Sequence, residues 1–267
     1  MTCKQTLCAP LGRAVMALAV AGGISQTHGQ VNDGVEGPLE EIVITAYSRV
    51  PQSPDEIGSA VSRIASETIE LQQLTVLDEV LERAPGVSVT RSGGFGQNTQ
   101  VRMRGFTTKH VLTIVDGVRM TNPAEFDNQF GIEHVMLNQI ERVEVLRGPQ
   151  SGIYGADAVA GVINIVSKRG TGDPDLRLSA MAGSHDTYEL TAGSQGGLLG
   201  DRLGYNISFS SFETDGISLA SRAPGNQEAD AYDNLNIVAN LDFQASDALE
   251  LRALHFPTYL SSAQTVS

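Results

Sequence analysis

From Pro174 onward, apolar and polar residues take turns along the chain; before Pro174 no single period holds. Tyr205, Ile207 and Phe209 alternate with Asn206, Ser208 and Ser210. Leu235, Ile237, Ala239, Leu241 and Phe243 alternate with Asn234, Asn236, Asn240 and Asp242, and Val238 breaks the rule. Leu178, Ala180 and Ala182 oppose Arg177 and Ser179, and Leu249, Leu251 and Ala253 oppose Glu250 and Arg252. A period of two sends successive side chains to opposite faces of a strand. These runs therefore predict antiparallel strands with one apolar and one polar face, joined by turns of Gly, Asp and Ser. A soluble sandwich and a membrane barrel both satisfy the pattern. The runs come near the ~9–11 residues of a membrane-spanning strand, and a barrel would turn its apolar row to lipid and its Asn, Ser and Asp inward.

Between Ser59 and Gly170 the period keeps changing. "SAVSRI" alternates like a short strand. Ser66 stands where it can cap a helix over "ETIELQQL", and Thr75 with Asp78 has capping-box spacing for a second helix. The apolar face of that helix is Leu77, Val80, Leu81 and Ala84, and Pro85-Gly86 ends it. "VSVTRS" and "VRMR" read as strands around the loop Ser92–Gln100. "HVLTIVDGVRM" reads as a hairpin around Asp116-Gly117. A loop over Thr121–Phe130, a short helix over Ile132–Gln139 and the strand "ERVEVLRG" follow. Short strands mixed with short helices predict a compact α+β domain of ordinary size.

The N-terminus differs from both regions. Lys4 and Arg13 precede the apolar run Ala14–Ile24, and small and polar residues follow it. That is the form of a secretory signal peptide, with Thr27 and Gly29 small enough to flank a cut near Gly29. Cys3 and Cys8 both lie inside it, so the mature chain would hold no disulfide and no cysteine metal site. No run of 18 apolar residues predicts a spanning helix. Gln30–Glu40 reads as a flexible leader. Glu40–Ala46, "EEIVITA", is a β-branched run on that tether. It is either an edge strand or a peptide that a partner captures by strand addition.

The 267 residues carry a net charge of −13, with only 18% charged residues. An acidic chain of this kind argues against a nucleic-acid partner, which would need clustered Lys and Arg. No catalytic constellation emerges, and no enzyme activity is expected. Ser184-His185-Asp186 are adjacent, whereas triads are set by geometry across a fold. "GGFGQNT" lacks the third glycine of a dinucleotide fingerprint and carries no Walker lysine. The five histidines, His28, His110, His134, His185 and His255, have no metalloprotease spacing.

"EEIVITA", "LERAPGVSVT", "VRMRGFTTKHVLTIVDGVRM" and "IERVEVLRGPQSGIYGADAVAGVINIVSKRG", followed by the alternating strands, resemble the TonB-dependent outer-membrane receptors in order and spacing, from about Glu40 to Leu254. Within that family the likeness is greatest to the cobalamin receptors, with siderophore and colicin receptors close behind. The resemblance implies an α+β plug, a mixed small sheet with short helices, followed by the first antiparallel strands of a transmembrane β-barrel. The expected division is a signal peptide over 1–29, a leader with a TonB box over 30–46, a plug over 47–170 and a partial barrel over 171–267. Family barrels have about 22 strands, and about five are expected here, so the chain is expected to be truncated. Pro257 would also fall within a strand, where proline is disfavoured.

The resemblance further implies a nutrient importer of the Gram-negative outer membrane, monomeric and in contact with membrane lipid, for cobalamin or a ferric siderophore. A truncated plug fragment that only binds TonB is the competing account. With no phosphate loop in the sequence, energy would come through TonB, paired by strand addition to Ile42, Val43, Ile44, Thr45 and Ala46. Outward plug loops of the family touch ligand, which points to Phe95, Gln97, Asn98, Asn122, Phe126 and Asn128 as substrate-binding residues. Basic plug residues of the family pair with acids on the barrel wall, which points to Arg104, Arg142 and Arg147. Cobalamin receptors hold calcium in acidic barrel loops. The comparable residues are Asp215, Glu228, Asp230 and Asp233, spaced unlike an EF-hand, with a plain solvated loop as the alternative.

Overall fold

The computed structural model describes residues 59–122, 130–216, 230–246, 249–255 and 260–265. The expected signal peptide and TonB box lie outside these residues.

The first part is the α+β unit. Its elements are β1 (Ala60–Ala65), α1 (Ser66–Leu71), α2 (Leu77–Glu82), β2 (Val87–Arg91), β3 (Thr99–Met103), β4 (Val111–Val115), β5 (Val118–Arg119), β6 (Ile140–Arg147), α3 (Ser151–Tyr154) and β7 (Gly161–Ser167). A five-stranded sheet runs in the order β1-β6-β7-β4-β5, and β2 and β3 form a separate ribbon. β4 and β7 pair in parallel at the centre; the other neighbours in the sheet are antiparallel. Every residue of these two strands is buried. That fits the largely apolar runs "VLTIV" and "INIV", each interrupted by one buried polar residue, Thr113 or Asn164, as in strands covered on both faces.

On one face of the sheet, Ile69, Leu77, Val80 and Leu81 of the helices pack with Val101, Val143, Val145, Ile163 and Ile165. On the other, Tyr154 and Ala158 of the small-residue connector cover Leu112, Ile114, Leu146 and Val162. The connector is therefore a lid on a sheet face. Gly148, at φ +127°, turns the chain into it. Glu144 and Asn164 sit within that apolar face. The carboxylate of Glu144 is fully buried and accepts from Asn164 Nδ2 (2.9 Å) and Arg142 Nε (2.8 Å), as a buried charge requires.

Two local expectations are corrected. The helix expected over Ile132–Gln139 is a single 3₁₀ turn, Ile132–His134. Beyond it the chain extends so that Leu77 N donates to the Val135 carbonyl and Leu137 N to that of Thr75, around a bridge between Val76 and Met136. At the start of α2 the acid that closes back on the turn is Glu79, which accepts from Thr75 N at 2.8 Å. Asp78 instead accepts from Arg91 Nε at 2.8 Å.

The second part is one antiparallel sheet of β8 (Asp175–Gly183), β9 (Thr187–Leu198), β10 (Leu203–Thr214), β11 (Asp230–Ser246), β12 (Leu249–His255) and β13 (Leu260–Thr265). Each of the first five pairs with the next, and β13 pairs with β11 beyond the end of β12. Ala239 faces His255 while Leu235 faces Leu260, so the register slips by one residue between the two segments. β12 and β13 thus fill one strand position, and the sheet has five. Pro257 lies outside the described residues.

Burial along this sheet is inverted. Asn206, Ser208, Ser210, Asn234, Asn236 and Asn240 are buried, whereas Ile207, Leu235, Ile237 and Leu241 are exposed. Asn236 retains 5% of its surface and its neighbour Ile237 49%. A soluble sandwich would bury the apolar row. Here the polar row faces the α+β unit and the apolar row faces out. Val238, which broke the alternation, is an apolar residue in the inward row.

Candidate functional site

The plug-like unit meets the inner face of the strand wall along one seam, and the seam gathers most of the distinctive side chains. At one end is the loop between β2 and β3. The Phe95 ring meets Phe212 of β10 edge-on, with centroids 5.0 Å apart. The Arg91 guanidinium lies 5.1 Å from the Phe95 centroid and is itself paired with buried Asp78. Gly96, at φ +71°, lies under the Tyr232 ring of β11, where a Cβ would come within 2.2 Å of the ring carbons. Phe95, Val76 and Met136 of the unit pack with Phe212 and Tyr232 of the wall in one apolar cluster.

Beside this cluster His134 stacks on Tyr232 at 5.9 Å, with Nδ1 3.0 Å from the Tyr232 hydroxyl. Asn234 Nδ2 donates to that hydroxyl at 2.7 Å, which leaves the hydroxyl proton for His134 Nδ1. Burial pushes the His134 imidazole below its ordinary value of 6.5, so it is held neutral and able to accept.

Midway along the seam lies a cavity of about 660 Å³ between α1, residues 137–140 and the first two wall strands. Glu70, Thr75, Gln139, Lys168, Glu189 and Thr191 are among its lining residues. Thr75 Oγ1 donates to Glu189 across it at 3.4 Å, and Glu70 meets Lys168 at 3.0 Å and Arg177 at 3.5 Å. These charged and amide groups share the wall with aliphatic side chains, Ile69, Leu74, Leu137 and Ile140 among them, so the cavity is mixed in character.

At the far end the chain leaves β7 and crosses to the wall. Asp116 accepts from Ser167 N at 3.0 Å and from the Ser167 hydroxyl. Asn240 Nδ2 donates to Ser167 Oγ at 3.0 Å. Asn206 Nδ2 donates to the Lys168 carbonyl at 2.7 Å.

The sequence-predicted residues fall as follows. Phe95 is half-buried in the aromatic cluster. Gln97 is also half-buried, and its carbonyl accepts from Thr99 Oγ1 at 2.9 Å. Asn98 is exposed, and its carbonyl accepts from Ser92 N at 3.0 Å, closing the loop. Asn122 is half-buried. Phe126, Asn128, Glu228 and the strand-addition segment Ile42, Val43, Ile44, Thr45 and Ala46 lie outside the described residues. Asp215 and Asp233 are exposed, and Asp230 opens β11. Among the described residues no three His, Cys, Asp or Glu stand close enough to hold a metal.

The arginines expected to reach the wall do not all do so. Arg142 pairs with Glu141 (2.5 Å) and Glu144 (2.8 Å), and Arg147 donates to the Pro85 carbonyl and to Ser62 Oγ. Both sit on β6 inside the sheet, where the buried Glu144 carboxylate and the Pro85 carbonyl, in the turn after α2, engage their guanidinium groups. Arg104 is exposed beside Gly148. Contact of the expected sign falls to Arg169, 3.7 Å from Glu250 of β12. Sequence reasoning placed Asn206 and Asn240 on the polar row without singling them out from its other members, and it missed His134, which carries no spacing signal.

Residues 53–162 match the TonB-dependent Receptor Plug Domain. The chain is 34% identical over 234 residues to the vitamin B12 transporter BtuB of Photobacterium profundum, covering 88% of this chain and 38% of that protein. It is 31% identical over 236 residues to the protein of the same name from Vibrio vulnificus, covering 85% of this chain and 36% of that one. The chain thus spans well under half the length of these relatives. Among solved structures, the pyoverdine outer membrane receptor FpvA of Pseudomonas aeruginosa superposes with a TM-score of 0.67 at 18% identity, over 79% of this chain and 29% of that one. The siderophore receptor PirA of Acinetobacter baumannii superposes at 0.55 and 26% identity, over 70% and 29%.

Proposed function

Through its plug domain the chain belongs to the TonB-dependent receptors, and on that footing we propose that it serves TonB-energised uptake of a scarce nutrient, cobalamin, across an outer membrane. The single observation that carries this reading is the inverted wall. An apolar row faces out, an amide and hydroxyl row faces in, and a folded plug lies against the inner row. That arrangement suits lipid outside and a polar passage inside. Cobalamin is named because both BtuB relatives exceed 30% identity. The siderophore receptors cited share the fold.

In this reading the strand-addition segment Ile42–Ala46 pairs with a strand of TonB through main-chain hydrogen bonds, and pulling on it deforms the plug. Ligand meets the outward loops, with Phe95, Gln97, Asn98, Asn122, Phe126 and Asn128 as the contacts. Phe95 would contribute indirectly, because its ring already packs on Phe212; ligand pressing on this loop acts on the aromatic seam. Calcium at Asp215, Asp230 and Asp233 would draw on oxygen ligands beyond these three. Calorimetry with calcium tests that point.

Val43→Pro removes a pairing N–H from the middle of the box. In Gram-negative cells expressing the protein, radiolabelled cobalamin uptake is expected to fall to background in this variant while surface binding is retained. Uptake at the unaltered rate would overturn the TonB-box assignment. Absence of cobalamin binding in the unaltered protein, with binding of a ferric chelate instead, would move the substrate to the siderophores.

A further inference from the structure

The crossing from plug to wall is tied more closely than a linker needs to be. The Lys168 carbonyl accepts from Asn206 Nδ2 at 2.7 Å and from Asn240 Nδ2 at 3.5 Å. The same Asn240 amide gives its shorter bond, 3.0 Å, to Ser167 Oγ. The Ser167 hydroxyl in turn donates a hydrogen bond to Asp116. The Lys168 N–H donates to the Gln139 carbonyl at 2.8 Å, so the peptide groups on both sides of Lys168 are held. Asn206 and Asn240 are each almost wholly buried, and they are direct partners in the β10–β11 register with Asn206 opposite Asn240.

Backbone shape reinforces the tie. A Cβ on Gly170 would fall 1.8 Å from the Tyr205 carbonyl, and one on Gly204 would fall 2.4 Å from the Gly170 carbonyl. The chain lies flat on the wall here because neither residue has a side chain. One step on, Gly172 N donates to Asp201 at 3.1 Å and Gly197 N to the Gly172 carbonyl at 2.7 Å.

We propose that Asn206 and Asn240 are positioning residues, a two-amide clamp that fixes the end of β7 to the wall, so that any rearrangement of the plug ends at Ser167. The clamp works by donation. Both amides serve acceptors, the Lys168 carbonyl and Ser167 Oγ, whose proton is already committed to Asp116. Aspartate has the size of asparagine but no proton to give, and its charge faces two acceptors. If size alone mattered, Asn→Asp would be tolerated; for a donor clamp it is as damaging as removal.

The uptake reading gives the clamp its purpose, but its test does not depend on uptake. Lys168-Arg169 is a dibasic trypsin site held against the wall, while Arg142 lies in the middle of the plug sheet and is cut only when the plug unfolds. In detergent-solubilised protein, the double variant Asn206→Asp/Asn240→Asp is expected to be cut after Lys168 or Arg169 about ten-fold faster than the unaltered protein, the loss of one to two net hydrogen bonds, with cutting after Arg142 unchanged. Cleavage at the unaltered rate would overturn the clamp.

If both sites open together, the variant has failed to fold, and amide exchange of the unaltered protein in low urea decides. Ser167 and Lys168 are then expected to stay protected while the edge strand β1 exchanges. Exchange of both together would overturn the proposal. Either result leaves cobalamin uptake to be judged by its own assay.

Discussion

His134 stands where, among the described residues, a titratable plug ring is stacked on the wall. Its imidazole is hydrogen-bonded to the Tyr232 hydroxyl and is held below its ordinary value of 6.5 by burial. The sign follows from linkage. The unfolded chain takes up a proton near 6.5, the folded chain only at lower pH, so the unfolded state binds more protons in between. The contribution of neutral His134 is therefore complete above about pH 6.5 and declines as pH falls below it towards the lowered value. Urea unfolding of the plug should show a lower midpoint at about pH 5.5 than at about pH 7.5, and His134→Gln should shrink that difference. An undiminished difference in the variant would assign it to other groups. None of this was readable in advance. A lone histidine in "IEHVM" has no pattern around it, and its burial depends on Tyr232, 98 positions away. The same holds for Gly96, which looks like one more loop glycine until the Tyr232 ring is placed over it.

Among elements, β10 and β11 were the most legible, because strict alternation over many residues has a single physical meaning: two faces in two different media. Sequence alone left open which face was wet. The structure answers it by burying Asn234 and Asn236 and exposing Leu235 and Ile237. Strand β9 was harder to read. Gly193, Gly196 and Gly197 remove side chains from the positions that would show a period; Pro174 of the incoming chain approaches Gly196 closely, and the Asp201 side chain, with Gly172 behind it, approaches Gly197. The short helix expected over Ile132–Gln139 failed for a tertiary reason, since Val135 and Leu137 give their backbone groups to the chain entering α2. The outward row carries a direct prediction. Ile237→Arg should cost about 2–4 kcal/mol near the middle of a bilayer and reduce the amount of protein recovered in outer-membrane fractions, whereas Asn236→Ser, on the inward row, should leave recovery unchanged. Equal recovery of Ile237→Arg would mean that this row does not face lipid.

At the scale of the whole molecule, the two parts depend on each other unequally. Both main clusters of the plug are built from its own residues, from Ile69 to Ile165 on one face and from Leu112 to Val162 on the other. Among the described residues, the small cluster of Val76, Met136 and Phe95 is the one that borrows Phe212 and Tyr232 from the wall. Among the described residues the wall packs no apolar core of its own: its buried row is mostly Asn and Ser, the buried Phe212 and Tyr232 pack with plug residues, and its apolar row needs a non-aqueous neighbour. A hydrophobic effect that acts on apolar area therefore folds the plug in water but cannot fold the wall there. Residues 59–170 expressed alone are expected to be soluble and to keep slowly exchanging amides in β4, β6 and β7, with Val76, Met136 and Phe95 newly exposed and binding an apolar dye. Residues 171–267 alone are expected to aggregate in water and to form strand structure only with detergent or lipid. A soluble, cooperatively folded wall fragment would contradict the inverted face and with it the membrane reading. An unfolded plug fragment would show that the borrowed aromatic contacts, and not the two internal clusters, decide whether the plug folds.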